Sequence, residues 1–328
     1  MEIIGDSLDD ILIEAYKKLQ SLGVPNEGSR GDHRELIGVS IRIGHPRARL
    51  SRSNDRGLPF SALGEFLWYL TKSDDIDFIT AYIPNYKKEI GPDGRINGAY
   101  GPRLFSTYGL DQIEAVIDLL ERKPHTRRAV LQLYAAKDLK IDAEVPCTTT
   151  LQFFIRDEKL HLMASLRSND AYLGLPHDVF CFTMLQEMIA NRLGVGLGEY
   201  IQMVGSFHLY EEHEENASRY TQEGHHRLVE MPPMPAGDPF ALVDKILEAE
   251  QQIRTGSGDP TELMSLLPPY WADLLRLVQA RFADHPDKID AIRSGLTDPL
   301  FQTYIDDRRD KQSAKLERAA AKNQGMSE

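Results

Sequence analysis

The sequence predicts an α/β or α+β domain over residues 1–235, with a mixed sheet and packed helices, followed by a helical extension over residues 236–328. Two observations support this fold class. In the first part, alternating β-branched segments and amphipathic segments follow one another in irregular order, which is typical of helices packed on a sheet. After the cluster Pro232-Pro233-Met234-Pro235, only helix signals remain. The composition, with 41% apolar and 27% charged residues, is that of an ordinary globular protein.

The elements of the sheet domain follow from hydrophobic periodicity and from turn residues. Ser7 and Asp10 resemble a capping box, so we expect the first helix to begin there and to end at Gly23. Residues 61–71 are apolar nearly all round, which predicts a buried helix. Further helices are predicted over 111–122 and 176–193, and strands over 37–43, 129–134, 149–155, 159–166 and 199–207.

The extension carries a repeated helix-start signal. Asp-Pro pairs stand at 238–239, 259–260 and 298–299, as expected where Asp caps a helix and Pro takes its first position. Residues 310–328 are polar and rich in Lys and Ala, so we expect their end to be frayed.

Charge, cysteine count and hydropathy exclude several classes of protein. The 38 basic and 50 acidic residues give a net charge of −12, which argues against a nucleic-acid binder and requires a local Arg cluster for any anionic ligand. Two cysteines exclude a disulfide scaffold and a CxxC zinc site. No segment has the apolar length of a membrane span, and the N-terminus does not resemble a signal peptide. We therefore expect a cytoplasmic protein that binds no membrane.

Glu65 and Cys147 are the first candidates for chemistry. Glu65 lies in the apolar helix, either at a partly exposed edge or as a buried functional carboxylate. Cys147 begins a strand, whereas Cys181 lies among apolar helix residues and is interpreted as a packing residue. A reactive thiolate at position 147 needs nearby cations, and the candidates are Arg127, Arg128 and Arg167.

Polar residues also flank the long helix. Residues 167–170 and 174–178 bracket its start, which is compatible with a turn and an Asp near a helix N-terminus. His208 and His213 are five residues apart and no third ligand is evident, so we expect no metal site.

Several motifs in register resemble the thymidylate synthase family and its hydroxymethylase relatives across residues 28–213. These motifs are Glu65-Phe66-Leu67-Trp68-Tyr69-Leu70, Gly98-Ala99-Tyr100-Gly101, Thr126-Arg127-Arg128, Pro146-Cys147 with Leu151-Gln152-Phe153-Phe154, the run from Arg167 to Pro176, and Gly205-Ser206-Phe207-His208-Leu209-Tyr210. The resemblance implies that family's mixed sheet with packed helices and leaves the extension outside it.

The resemblance also implies catalytic roles. Cys147 adds to C6 of a pyrimidine nucleotide, which makes C5 nucleophilic, and methylenetetrahydrofolate supplies the one-carbon unit. Glu65 matches the glutamate that organises water near the base, and Tyr100 matches the tyrosine linked to removal of the C5 proton. Asp170 falls among the catalytic residues of the matched run.

Phosphate and sugar contacts follow from the same resemblance. Arg30, chosen over Arg34 for the loop position, lies with Arg167 and Ser168 in the implied phosphate site. The implied site also takes Arg127 and Arg128 from the other subunit, so the resemblance implies a homodimer with shared active sites. His208 and Tyr210 match the residues that hold the sugar 3′-hydroxyl.

Asp178 departs from the synthase pattern, which has Asn at this position. An amide complements O4 and N3–H of uracil, whereas a neutral carboxylic acid donates to N3 and accepts from N4–H of cytosine. Thr148 and Leu166 also replace the usual His and Gln, and a long polar extension replaces the short C-terminal tail. These departures favour the hydroxymethylase branch, in which water completes the reaction.

The sequence therefore predicts a folate-dependent CMP or dCMP 5-hydroxymethylase. Ala171 is the candidate for the ribose wall, because a small side chain leaves room for a 2′-hydroxyl. Together with the long chain it favours CMP, as in similar hydroxymethylases of cytosine-nucleoside antibiotic pathways. A thymidylate synthase acting on dUMP and a non-catalytic nucleotide- or RNA-binding protein are the alternatives.

Overall fold

The computed structural model describes residues 1–28, 30–53, 59–92 and 94–325, and side chains up to residue 318. The chain forms two compact units. The first contains Met1–Gly57 and Gly64–Phe240, and the second contains Leu58–Leu63 and Ala241–Glu328. The sequence predicts a catalytic domain that ends at residue 235 and an extension that begins at residue 236. This division stays a prediction.

A mixed sheet forms the first unit. In the described residues its strands are β1 (Glu2–Gly5), β2 (Val24–Asn26), β3 (His33–Ile43), β4 (Val130–Gln132), β5 (Thr148–Arg156), β6 (Lys159–Asp170) and β7 (Gly196–Tyr210). The strand order is β1-β3-β7-β6-β5-β4, and β2 pairs with β3. β1 runs parallel to β3 and β6 runs parallel to β7, whereas the other pairs are antiparallel. The predicted mixed sheet is confirmed.

Helices and short 3-10 turns connect these strands. The α-helices are α1 (Leu8–Leu22), α2 (Phe60–Leu70), α3 (Ile76–Tyr82), α4 (Tyr100–Phe105), α5 (Gln112–Arg122), α6 (Gly174–Leu193) and α7 (Glu214–Gln222). The 3-10 helices span Pro84–Glu89, Ala136–Lys140 and Glu211–His213.

Local sequence signals set the ends of α1 and α6. The capping box of α1 is present, because Asp10 N donates to Ser7 Oγ over 3.2 Å and Ser7 N donates to Asp10 Oδ2 over 3.1 Å. Gly194 ends α6 in the left-handed region at φ 66°, where glycine lacks the steric penalty of a side chain. Both of these predicted ends are confirmed.

β6 is longer than its predicted span. It continues through residues 167–170, where Ser168 pairs with Ser206 and Asp170 pairs with His208 of β7. The turn considered for 167–170 is therefore wrong. The parallel pairing therefore places the polar side chains of Ser168 and Asp170 next to those of Ser206 and His208, at one end of β6 and β7.

The two faces of the sheet differ in burial. Leu160, Leu162 and Ala164 of β6 are fully buried, and α6 packs against β6 and β7. On the opposite face, Val130 of β4 is in register with Gln152 of β5, Met163 of β6 and Ile201 of β7. Val130 is 42% exposed, and so is Met203 on the next row of this face. This opposite face leaves apolar surface in contact with water.

Arg103 anchors the short helix α4. Its Nη1 donates to Asp138 Oδ2 over 2.6 Å and to Leu133 O over 2.7 Å, and its Nη2 donates to Asp138 Oδ1 over 2.9 Å. Both side chains are buried. Burial raises the pKa of Asp138, but the hydrogen bonds from Arg103 outweigh it and hold that pKa below its ordinary value.

Removing Arg103 should strongly destabilise the protein. We expect Arg103→Leu to lower the free energy of unfolding by about 3–5 kcal/mol at neutral pH, because Asp138 is left as an unpaired buried charge. The effect should shrink as the pH falls through the lowered pKa of Asp138, since the pair stabilises only the ionised carboxylate. Urea unfolding at several pH values measures the loss of stability and its pH dependence. The exposed Lys140→Ala variant is the control. Equal stability of the Arg103 and Lys140 variants would contradict this assignment.

The second unit is helical. Its helices are α8 (Val243–Thr255), α9 (Thr261–Ser265), α10 (Pro269–Phe282), α11 (Pro286–Ser294) and α12 (Gln302–Gly325), and residues 326–328 of the predicted frayed end lie outside the described residues. Asp298 Oδ1 accepts from Leu300 N over 2.8 Å, so Asp298 caps a helical turn as predicted. Asp259 Oδ1 accepts from Thr261 N over 3.0 Å, but α9 begins at Thr261 and Pro260 is its N-cap, so the predicted cap at Asp259 is wrong. No helix among the described residues has the length and apolarity of a membrane span.

Candidate active site

Cys147 lies between Pro146 and the first residue of β5, beside the polar end of β6. Its carbonyl oxygen accepts from Arg167 N over 2.8 Å, and its Sγ accepts a weak hydrogen bond from Ser168 Oγ at 3.8 Å. The thiol is partly exposed, whereas Cys181 in α6 is fully buried. Of the two cysteines, only Cys147 can reach a ligand from solvent.

The electrostatic surroundings of the Cys147 thiol differ from the prediction. Burial raises its pKa, the Arg167 guanidinium lowers it and Glu144 raises it, with a net pKa above the ordinary value. Arg167 is thus the predicted neighbouring cation. Arg127 and Arg128 are exposed, and neither contributes to the field at the thiol within this chain. Whether Arg127 and Arg128 act on the thiol of another subunit stays a prediction.

Glu65 is a buried carboxylate with three donors around it. Its Oε1 accepts from the hydroxyls of Tyr69 and Tyr86, each over 3.1 Å, and its Oε2 lies 2.6 Å from His177 Nδ1. Burial raises its pKa, but the hydrogen bond and charge of His177 and the two tyrosines outweigh it, so the net pKa is lowered. Of the two readings for Glu65, the partly exposed helix edge is wrong.

Asp178 is the second carboxyl group of the site. Its Oδ2 accepts from Asn169 Nδ2 over 2.7 Å. Desolvation by the surrounding protein and the charge of Glu65 raise its pKa well above the ordinary value, and the Asn169 bond only partly offsets this. The environments of Glu65 and Asp178 thus push their pKa values apart, an arrangement typical of sites that hold one ionised and one neutral carboxyl group.

Tyr100 connects α4 to the strand that follows Cys147. Its hydroxyl donates to Thr148 Oγ1 over 2.9 Å and accepts from Thr148 N over 3.0 Å. Its ring stacks on Phe182 of α6 with centroids 6.1 Å apart. Burial, followed by the electrostatic interactions with Asp178 and Cys147, raises its pKa well above the ordinary value, so Tyr100 is a neutral phenol.

Arg30 lies at the same site, and Arg34 does not. Arg30 Nη2 contacts Glu89 Oε2 and Glu144 Oε2, each over 2.6 Å, and the charges of Tyr210 and Cys147 act on it. Arg34 pairs instead with Glu214 over 2.7 Å. Arg167 Nη2 lies 3.7 Å from Glu144 Oε1, so one carboxylate stands between the two arginines predicted to bind phosphate.

The predicted sugar-binding residues lie together at the ends of β3 and β7. The rings of His208 and Tyr210 have centroids 5.0 Å apart, and His33 of β3 lies 5.2 Å from His208. Burial lowers the pKa of His208, although the Asp170 charge raises it, and the net pKa is lowered. His208 is therefore neutral near pH 7.

Ala171 and Asp170 have structural surroundings that the sequence did not indicate. Asp170 accepts from Tyr172 N over 2.9 Å and from Leu173 N over 3.0 Å, which fixes the turn into α6. Ala171 is completely buried, and its N–H donates to His208 O over 2.8 Å. A residue that touches a sugar must have accessible surface, so the structure does not support Ala171 as the ribose wall.

Three residues at the site were missed from the sequence: His177, Asn169 and Glu144. The contacts of His177 and Glu144 join segments far apart in the chain, since His177 reaches Glu65 across 112 positions and Glu144 reaches Arg30 across 114. Asn169 lies inside the motif from Arg167 to Pro176 and His177 directly follows it, whereas Glu144 carries no such local signal. Such a signal cannot tell which way a side chain points.

The comparisons with known proteins agree with this geometry. The family model for thymidylate synthase matches residues 56–234, more than half of the chain, so the chain belongs to the thymidylate synthase family. Thymidylate synthase of Bacillus phage phi3T is 35% identical over 167 residues, which span 48% of this chain and 59% of that protein. Thymidylate synthase of Bacillus atrophaeus is 34% identical over 48% of this chain and 72% of that protein.

A solved structure supports the same family. Thermostable thymidylate synthase A from Bacillus subtilis superposes with a TM-score of 0.57 at 25% identity, covering 69% of this chain and 87% of the other. The family comprises one-carbon transferases that use methylenetetrahydrofolate as cofactor and one-carbon donor. The predicted family and fold are confirmed.

Two residues between the end of β6 and the start of α6 have side chains that fit such a cofactor. Leu173 at the start of α6 is 49% exposed and offers apolar surface to a flat ring. Asp170 next to it is a carboxylate acceptor for ring N–H groups, because each of its oxygens has a lone pair beyond the one used by the backbone of 172 and 173.

Proposed function

We propose that this protein is a cytidylate 5-hydroxymethylase, which transfers a one-carbon unit to C5 of CMP or dCMP and completes the reaction with water. The observation that carries the proposal is Asp178, a carboxyl group with a strongly raised pKa beside Cys147. A neutral acid whose O–H faces N3 donates to N3 and accepts from N4–H of cytosine, and in that orientation it mismatches the N3–H and O4 of uracil. Each mismatch in such a site costs roughly 1–3 kcal/mol.

Cys147 is the nucleophile in this proposal. Its Sγ forms a bond to C6 while electrons move onto C5, and the C5 proton leaves later so that the ring regains its double bond when the thiol departs. Ser168 and Arg167 lie where they stabilise the thiolate. The bound cofactor supplies the one-carbon unit. Tyr100, a neutral phenol hydrogen-bonded to residue 148, sits beside this chemistry as a proton carrier.

Glu65 holds water in this proposal. It stays ionised under three donors, and an ionised carboxylate accepts hydrogen bonds from water. The residues that replace the synthase His and Gln are Thr148 and Leu166, and both are buried. A site with water held beside the base favours a hydroxymethyl product over a methyl product.

The substrate phosphate is assigned to Arg30, Arg167 and Ser168. Arg30 and Arg167 both point at Glu144, so their guanidinium groups already converge on one anion position. His208 and Tyr210 lie at the strand ends where the 3′-hydroxyl would be held. That hydroxyl is common to CMP and dCMP, so the proposal covers both nucleotides.

We infer a homodimer with shared active sites. The sheet face opposite α6, on which Val130 and Met203 are each 42% exposed, fits a second copy of the chain. Arg127 and Arg128 are exposed directly before β4 at the edge of that face. In this proposal they reach the phosphate site of the partner.

A competition assay tests the base preference. CMP, dCMP, UMP and dUMP are mixed in equal amounts with methylenetetrahydrofolate and the protein, and consumption of each is followed. We expect the cytosine nucleotides to be consumed and the uracil nucleotides to persist. The second candidate, a thymidylate synthase, is favoured by the names of the relatives, and preferential loss of dUMP would establish it instead.

A further inference from the structure

A chain of buried amides leads from the sheet to Asp178. Tyr200 donates from its hydroxyl to Gln202 Oε1 over 2.7 Å, and Gln202 Nε2 donates to Asn169 Oδ1 over 2.8 Å. Asn169 Nδ2 then donates to Asp178 Oδ2 over 2.7 Å. Tyr200 and Gln202 are fully buried and Asn169 nearly so, and we call these three residues the amide relay.

The amide relay has one direction. Asn169 can donate to residue 178 only if its own oxygen accepts from Gln202, whose oxygen in turn accepts from Tyr200. Reversing one amide would place two N–H groups or two oxygens against each other at the next contact. An unsatisfied buried group of this kind is costly, so the two amides of the relay can turn only together, and in the structure both donate towards residue 178.

We propose that Asn169 is a positioning residue that fixes the order of donor and acceptor on residue 178 and thereby selects the base. The inference rests on the proposed function in one respect, namely that residue 178 reads the pyrimidine. Oδ2 must accept, because Asn169 presents an N–H to it. In the described part of the chain Oδ1 has no hydrogen-bond partner, so the proton of the neutral acid lies on Oδ1, free for the base.

Asn169 would impose the same order of donor and acceptor on an amide at position 178. In Asp178→Asn, the amide oxygen must face Asn169, so its NH2 takes the place of Oδ1. The variant then presents the same donor and acceptor order as the neutral acid and still matches cytosine. Asp178→Asn alone should therefore keep the cytosine preference, although its turnover falls.

Exchanging the two residues reverses the order. In the double variant Asn169→Asp with Asp178→Asn, the carboxylate at 169 accepts from Gln202 and from the NH2 of residue 178. The amide oxygen of residue 178 then takes the place of Oδ1 and accepts from N3–H of uracil. The double variant contains the same atoms as the wild type at nearly the same volume, so it is a matched control for packing.

The test measures kcat/KM for cytidine and uridine nucleotides in the wild type, both single variants and the double variant. We expect the ratio of the two bases to invert only in the double variant, with a change of about 10-fold or more relative to Asp178→Asn. Some variants could bind nucleotides without turning them over. For these, the ratio of the affinities for cytidine and uridine nucleotides, measured in a Cys147→Ala background, replaces the ratio of kcat/KM. Inversion in Asp178→Asn alone, or an unchanged ratio in the double variant, would overturn the proposal.

A second pair of variants tests the relay without touching Asn169. Gln202→Glu makes residue 202 an acceptor, which turns the Asn169 amide and presents its oxygen to residue 178. Combined with Asp178→Asn, it should invert the base ratio in the same direction as the exchange. A purely structural role of Asn169 predicts loss of turnover for all bases with no inversion, and that result would count against the proposal.

Failure of the proposed function would be recognised separately. If the wild type turns over uracil nucleotides and not cytosine nucleotides, the hydroxymethylase assignment is wrong. In that case residue 178 of the wild type accepts from N3–H of uracil. The exchange variant, which also presents an oxygen there, should keep the uracil preference, whereas Asp178→Asn alone, which presents its NH2, should shift the ratio towards cytosine if Asn169 sets the order on residue 178.

Discussion

Replacing Cys147 with Ala should abolish turnover. We expect kcat to fall by at least about 10⁴-fold, because without the thiol no covalent bond to C6 can form and C5 stays unreactive. Nucleotide affinity should change little, since Arg30, Arg167 and the sugar-binding residues are untouched. Single-turnover kinetics measure the first quantity, and equilibrium dialysis with CMP measures the second.

Cys181→Ala is the matched control. Cys181 is fully buried in α6, so its substitution removes one atom from the core and should cost about 1 kcal/mol of stability while leaving turnover largely intact. If Cys147→Ala retained near-normal turnover, covalent catalysis by this thiol would be excluded.

Mixing two inactive variants should restore activity if the sites are shared. In a dimer of one Arg128→Ala subunit and one Cys147→Ala subunit, one of the two sites receives both wild-type residues. After random exchange half of the dimers are mixed, so we expect activity at about a quarter of the wild-type level. The assay follows turnover as the two variants are titrated against each other.

A double variant supplies the control for this mixing experiment. A chain carrying both Arg128→Ala and Cys147→Ala, mixed with the wild type, forms heterodimers in which neither site is complete. It should therefore add no activity. Mixed dimers of the two single variants that form and stay inactive would place Arg128 in the site of its own subunit.

Local signals predicted the helix ends and the sheet segments well. The capping box at Ser7 and the glycine at 194 act within one turn of chain, so they are readable from spacing. The strands predicted over 159–166 and 199–207 are too short because β6 and β7 extend through polar residues. Ser168 and Asp170 pair with β7 despite their polarity, and this pairing depends on a segment about 40 positions away.

The sequence predicted which motif residues form the candidate site, but it did not predict the direction in which their pKa values are shifted. Cys147, Glu65, Tyr100 and Asp178 converge in space as the motifs indicate. The direction of each pKa depends on neighbours that spacing does not reveal, such as His177 beside Glu65. The thiol pKa is raised because burial and a nearby carboxylate outweigh one arginine.

The identity of the product tests the central claim most directly. The protein is incubated with CMP or dCMP and methylenetetrahydrofolate in water enriched in heavy oxygen, and the nucleotide product is analysed by mass spectrometry. A cytidylate 5-hydroxymethylase should give a cytosine nucleotide that carries a hydroxymethyl group with the heavy oxygen in it. A methylated nucleotide, or thymidylate formed from dUMP in place of any cytosine product, would contradict the account.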